Sequence, residues 1–222
     1  MLRRFRRARR EEDGFTLVEL LVSMTIFSVL MAIILSLMTT MMYQAKDNLG
    51  RQRAVEQGRL GLSQIDRQIR SGNLILDPSL EGPAEADVPK NYSLRIFTQE
   101  GGVDMCVQWR VKFYDASKFG QLEYREWRPA DTTSVTPWSR VASNVVAPTA
   151  AFSAGDPKSW PPFWVDTNLP TGTDAQNIRV TLRMSDPDAK TGSKPQTLTS
   201  VITGRNTVFG YPSITCNVVP TP

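Results

Sequence analysis

The stretch GFTLVELLVSMTIFSVLMAIILSLMTTMMYQA, Gly14 to Ala45, decides how the rest of this chain is read. Roughly the first 24 residues after Gly14 are almost wholly apolar, and at about 1.5 Å of rise per residue they are long enough to cross a bilayer core of about 30 Å. One charge interrupts them, Glu19, and the next is Lys46. A carboxylate inside an apolar span costs on the order of 2.5 to 3.5 kcal/mol, so a simple anchor gains nothing from one. Upstream lies a basic tip with Arg3, Arg4, Arg6, Arg7, Arg9 and Arg10.

The tip also explains the net charge of +4. Taking its six arginines, with Glu11, Glu12 and Asp13, away from the 26 basic and 22 acidic residues leaves 20 against 19, about +1. The basic character is therefore a statement about topology and not about nucleic acid. Arginines ahead of an apolar helix hold that end in the cytoplasm, which places everything after residue 45 on the other side.

Downstream, residues 39–70 contain no proline and stay compatible with helix. Val55, Leu62, Ile65 and Ile69 recur at helical spacing among Arg51, Arg53, Glu56, Arg59, Asp66 and Arg67, the pattern of an amphipathic helix. Gly72 is expected to end it in the left-handed conformation. Gly50, Gly58 and Gly61 each weaken a helix by about 1 kcal/mol relative to Ala. Two readings are open for them: close packing, or local melting when subunits assemble.

After residue 73 the period changes from helical to two. Tyr92, Leu94 and Ile96 share one face; Val103, Met105, Val107, Trp109, Val111 and Phe113 alternate with Asp104, Cys106, Gln108, Arg110 and Lys112. That alternation predicts half-buried strands of an antiparallel sheet, dry on one face and wet on the other. Further strands are expected around Leu122 and Tyr124, over 138–146, 178–184 and 197–203, and last over 214–219. Residues 77–91, 147–177 and 185–194 read as loops. The middle one carries Trp160, Phe163 and Trp164 among prolines, either an exposed binding surface or a small core of its own. Asp186 and Asp188 suit turn chemistry better than a metal site.

The chain has no histidine and two cysteines. This removes Ser-His-Asp and Cys-His catalysis and a conventional zinc site. No phosphate-binding glycine loop, dinucleotide fingerprint or calcium loop occurs. No enzyme activity, catalytic residue, cofactor or metal is expected. Cys106 and Cys216 can pair in an oxidising compartment, closing a loop of about 110 residues; two free buried thiols are the alternative.

Gly14-Phe15-Thr16-Leu17-Val18-Glu19-Leu20 resembles the class III signal of type IV pilins and of the pseudopilins of type II secretion and competence systems. The resemblance implies cleavage after Gly14 by a prepilin peptidase, N-methylation of Phe15, and an assembly role for Glu19, which would pair with the Phe15 amine of a neighbouring subunit. It implies an α+β, pilin-like fold: a long N-terminal helix, half transmembrane and half amphipathic, packed on an antiparallel β-sheet. The domains expected are a cleaved leader (1–14), a transmembrane helix (15–38), an amphipathic helix (39–72) and an extracytoplasmic β-rich domain (73–222). The implied partners are the peptidase, other pilins or pseudopilins in a filament, and an inner-membrane assembly platform. Nucleic acid enters only in a DNA-uptake role. The implied location is a single pass through the cytoplasmic membrane, N-terminus inside, and then the pilus or pseudopilus.

The segments Leu62-x-x-Ile65-Asp66-Arg67-x-Ile69-Arg70 and Ile202-Thr203-Gly204-Arg205-Asn206 resemble J-type and W-type minor subunits. A priming or tip subunit is the leading expectation. A tip-borne adhesin or DNA-binding module using the 147–177 loop, and a minor pseudopilin of a type II secretion system, are the alternatives.

Processing at this site is directly measurable. Protein extracted from membranes of cells with an active prepilin peptidase is expected to lack residues 1–14 and to start at an N-methylated Phe15 in intact-mass and N-terminal peptide spectra. An intact N-terminus, or a cut beyond Tyr43, contradicts the reading.

Overall fold

A computed structural model describes residues 14–81, 88–114, 117–165, 177–188, 192–204 and 216–220. The chain forms two compact units, residues 1–46 and 47–222. One helix, α1 (Leu17–Ser71), belongs to both. Its sequence accounts for its length: no proline falls inside it, and strong helix formers such as Leu, Met, Gln and Arg are frequent.

In the first unit the described residues 14–46 are all exposed, although most of them are apolar. By length and composition this stretch can cross a membrane, with a mean hydropathy of 2.6 over its most apolar window.

The second unit is the C-terminal part of α1 packed on an antiparallel sheet, the α+β plan expected of a pilin-like chain. The strands are β1 (Leu74–Ile75), β2 (Ser93–Glu100), β3 (Val103–Phe113), β4 (Phe119–Trp127), β5 (Ser139–Val146), β6 (Phe163–Trp164), β7 (Asn177–Met184) and β8 (Gln196–Thr203). Their spatial order is β1-β2-β3-β4-β5-β7-β6, with β8 paired along β7. Gly101 and Gly102 close the β2–β3 hairpin with φ of 57° and 82°, the positive values that a two-residue hairpin turn needs.

The helix meets the sheet along a seam narrower than the apolar pattern suggests. The buried helical residues are Gly50, Ala54, Gly58, Gly61, Ile65 and Ile69, at intervals of four, four, three, four and four. Of the apolar positions expected on this face, Ile65 and Ile69 are fully buried, whereas Val55 and Leu62 lie at its margin. The glycines supply closeness. A Cβ on Gly58 would stand 2.8 Å from Leu198 Cδ1 and 2.9 Å from Met184 Cγ; one on Gly61 would stand 2.8 Å from Leu122 Cδ2. Real Cβ atoms do not approach this near, so close packing accounts for both residues.

Four expectations need correction. Gly72 follows the last helical residue, but its φ is not positive. Space fixes its identity, because a Cβ there would lie 2.5 Å from Ile96 Cγ2. Of the strand expected over 214–219, residues 214 and 215 lie outside the described residues, and 216–219 form no strand. β6 lies inside the segment read as a loop, where Phe163 and Trp164 pair with Val180 and Arg179.

The fourth correction concerns the sheet's outer face, which is covered over much of its area. Gln108 and Arg110 are buried there, as are Glu123 and Arg125 on β4 and Thr181 and Arg183 on β7. Arg110 Nε donates to Glu123 Oε2 at 2.9 Å, and the Tyr114 hydroxyl donates to Glu123 Oε1 at 2.7 Å. The Trp138 ring lies against the Arg110 guanidinium, 3.6 Å from its centroid, and 4.3 Å from that of Arg125. Planar guanidiniums stack on an aromatic face and still donate in their own plane, which lets charged residues be covered without losing their hydrogen bonds.

The glycine seam makes a sharp stability prediction. In a fragment spanning 47–222, Gly61→Val is expected to lower unfolding free energy by about 1 to 3 kcal/mol in urea titration, because it overpacks the seam. Gly155→Ala, where an added Cβ meets nothing within 4 Å, is expected to stay within about 0.5 kcal/mol of the parent.

Candidate processing and assembly site

The start of α1 is built by a local hydrogen-bond pattern. Gly14, Phe15 and Thr16 are not helical. The Thr16 carbonyl accepts the first helical bond, from the Leu20 N–H at 3.2 Å, and Thr16 Oγ1 accepts from the Glu19 N–H at 3.3 Å. Thr16 is thus the N-cap, and Glu19 stands at the third helical position. Thr-x-x-Glu is the capping-box pattern, and a carboxylate in this first turn also faces the positive end of the helix dipole. The sequence reading singled out Glu19 and passed over Thr16; the cap was visible as a Thr three residues before a Glu at the head of an apolar run.

The Gly14–Phe15 peptide bond lies in the non-helical lead-in, two residues from the first helical residue. Phe15 is 84% exposed, and a Cβ on Gly14 would meet nothing within 4 Å. Nothing inside the described chain demands glycine at position 14, so any such demand is external. A protease that must grip extended backbone provides one. The arginine-rich tip, residues 1–13, lies outside the described residues.

Glu19 is exposed, on a helix whose neighbouring side chains Leu20, Leu21 and Val22 are exposed and apolar. Phe15 stands four residues ahead of Glu19, at the same end of the same helix.

The cysteines sit apart from this site, in the second unit. Cys106 on β3 and Cys216 are joined by a disulfide with Cα atoms 5.7 Å apart, packed with Leu74, Phe97 and Trp127 in a small apolar cluster. Close by, burial pushes the Glu81 carboxyl up from its ordinary value, and the ion pair with Arg95 pulls it back part of the way.

The 147–177 segment turns its aromatics inward. Trp160 and Phe163 are buried, and the Trp160 N–H donates to the Ser153 carbonyl at 2.9 Å. Trp164 lies tilted against Trp160, ring centroids 5.5 Å apart, with the Arg179 guanidinium 4.2 Å from the Trp160 ring centroid. Phe152 alone of the described aromatics here is largely exposed, at 53%. The core reading therefore holds for residues 147–165; 166–176 lie outside the described residues. Asp186 Oδ1 accepts from the Asp188 N–H at 2.8 Å, a turn contact.

Residues 9–42 match the family model described as the prokaryotic N-terminal methylation motif. The match covers the end of the basic tip, the Gly14–Phe15 bond, the Thr16 cap, Glu19 and most of the apolar helix. It supports a pilin- or pseudopilin-type substrate of prepilin peptidase. No curated protein and no solved structure matches the chain.

Closure of the loop between Cys106 and Cys216 predicts its own energetic weight. Cys106→Ala with Cys216→Ser is expected to lower the stability of the 47–222 fragment by about 4 kcal/mol in the chain-entropy model, read from denaturant midpoints. Two alkylatable thiols in the exported, unreduced protein would contradict the pairing.

Proposed function

We propose that this chain is a minor pilin or pseudopilin. It is inserted in the cytoplasmic membrane by residues 15–38 with its basic tip inside, cut after Gly14, methylated on Phe15 and built into a type IV pilus-like filament or its priming or tip complex. Its role is structural and not enzymatic. The observation that carries this reading is the head of α1: an exposed Gly14–Phe15 bond, a Thr16 cap and one exposed carboxylate on an otherwise apolar helical surface.

The chemistry follows from placing that surface in lipid and among parallel helices. Alone in a bilayer, Glu19 is a buried charge without a partner, which costs several kcal/mol. Beside a second processed subunit it meets the N-terminal amine of Phe15. Each charge offsets the desolvation of the other, and the pair sets the axial register between neighbours. Apolar contact alone cannot do this, because lipid tails solvate apolar side chains as well as another helix does.

The bulk of the second unit supports a minor subunit over the main shaft subunit. Long irregular segments between the strands suit a place at the tip, where few copies must pack against one another.

Glu19→Val tests the reading. Insertion and cleavage are expected to continue, since the span becomes more apolar and Gly14 is untouched. The fraction of processed protein recovered in sheared filaments, against that left in the membrane, is expected to fall by about tenfold or more, as befits loss of a desolvated ion pair. Glu19→Asp keeps the charge with a shorter reach and is expected to fall between. Wild-type assembly of processed Glu19→Val protein would remove the carboxylate from the assembly contact.

A further inference from the structure

Residues 216–220 lie on the sheet without forming a strand, so their carbonyls need partners other than a neighbouring backbone. Two arginines supply partners for three of the five. Arg95 Nη1 donates to the Cys216 carbonyl at 2.6 Å and to the Asn217 carbonyl at 3.1 Å; Arg125 Nη2 donates to the Pro220 carbonyl at 3.1 Å.

The two guanidiniums are held by groups that do not involve the cysteines. Arg95 Nε is paired with Glu81 Oε1. Glu81 Oε2 accepts from Ser93 Oγ at 3.1 Å, Ser93 Oγ accepts from Gln108 Nε2 at 2.9 Å, and Gln108 Oε1 accepts from Arg125 Nε at 3.1 Å. Glu81, Ser93, Gln108 and Arg125 are all buried. One continuous hydrogen-bonded row across β2, β3 and β4 therefore fixes both arginines with donors left over for the C-terminal segment. Cys216 itself has φ of 68°, a left-handed conformation that non-glycine residues rarely adopt and that persists only where the surroundings impose it.

We propose that this row is a docking site for the chain's own C-terminal segment, which Arg95 and Arg125 seat by its carbonyls so that Cys216 is presented to Cys106 before the sulfur–sulfur bond exists. The arginines are positioning residues. In the bond-forming step the two thiols lose two protons and two electrons to an external disulfide oxidant. One cysteine thiolate attacks a sulfur of the oxidant and releases a thiol; the other cysteine then displaces the second thiol and closes the protein disulfide. The arginines take no part in that exchange. They raise the local concentration of one cysteine at the other.

Cys106→Ala isolates the docking from the bond, since it leaves Cys216 as the single thiol of the full chain. In detergent-solubilised full-length protein, maleimide is expected to alkylate Cys216 at least about tenfold more slowly than in the same protein unfolded in urea. Adding Arg95→Gln is expected to restore most of the unfolded rate, because charge-assisted hydrogen bonds to two carbonyls are lost. Since Arg95→Gln also strands Glu81, Glu81→Gln/Arg95→Gln in the same background removes both charges and is expected to show the same acceleration while intrinsic tryptophan fluorescence stays native. In the parent with both cysteines, Arg95→Gln and Arg125→Gln are each expected to lower the equilibrium constant for oxidation by a glutathione buffer about tenfold or more. Alkylation of the Cys106→Ala protein at the unfolded rate would overturn the proposal, and so would protection that survives in the Glu81→Gln/Arg95→Gln background.

Discussion

The close approach of α1 to the sheet is the contact on which the second unit depends. Gly58 and Gly61 let the helix lie nearly backbone-deep on Leu122, Leu182, Met184 and Leu198. Ile65 and Ile69 then join Leu94, Ile96 and Val107 in the same buried core. Each glycine costs the helix about 1 kcal/mol in propensity, which the packing offsets. This sets where the helix must be dry. Burial begins at Gly50, and upstream of it the described helix has an apolar surface with no cover of its own. A bilayer and then a bundle of like helices are the environments that suit such a surface, and the Thr16–Glu19 cap stands at its head.

The other face of the sheet solves a different problem. A strand pattern that alternates apolar and polar residues ordinarily leaves the polar side to water. Here that side is covered, and its charges are retained because each is given a partner: Arg110 with Glu123, Arg95 with Glu81, Arg125 with Gln108 and the Pro220 carbonyl. Breaking one side of such a buried pair is far more costly than never having built it. Burial also pushes the Tyr114 hydroxyl up from its ordinary value, with the Glu123 carboxylate adding to the shift, so this group stays a donor.

Much of this was legible in the residues. The apolar run, the change of period after residue 73 and the alternation over 103–113 define the helix and six of the eight strands, because each is a local pattern. The N-terminal motif was legible for a similar reason: Gly14, Phe15 and Glu19 stand at fixed spacing at the head of a helix. Other features were hidden. The glycines of the seam look like helix weaknesses until the opposing leucines are known. β1 and β6, two residues each, are too short to carry a period. The covered outer face depends on register, since Arg110 meets Glu123 only once β3 and β4 are aligned, and sequence alternation says nothing of what lies above a face. The C-terminal segment has strand-like composition, but the Cys216, Asn217 and Pro220 carbonyls are taken by arginine side chains instead of a neighbouring strand.

We propose that the exposed head of α1 is an intersubunit surface, completed by a second processed helix. Site-specific photocrosslinking from within that surface tests it most directly. With a benzophenone amino acid at Leu21, illumination of cells is expected to give adducts between the mature chain and another subunit carrying the same N-terminal motif, mapped to its helix, and to give none when prepilin peptidase is inactivated. Illumination that yields only uncrosslinked chain or lipid adducts in cells bearing assembled filaments would contradict the account.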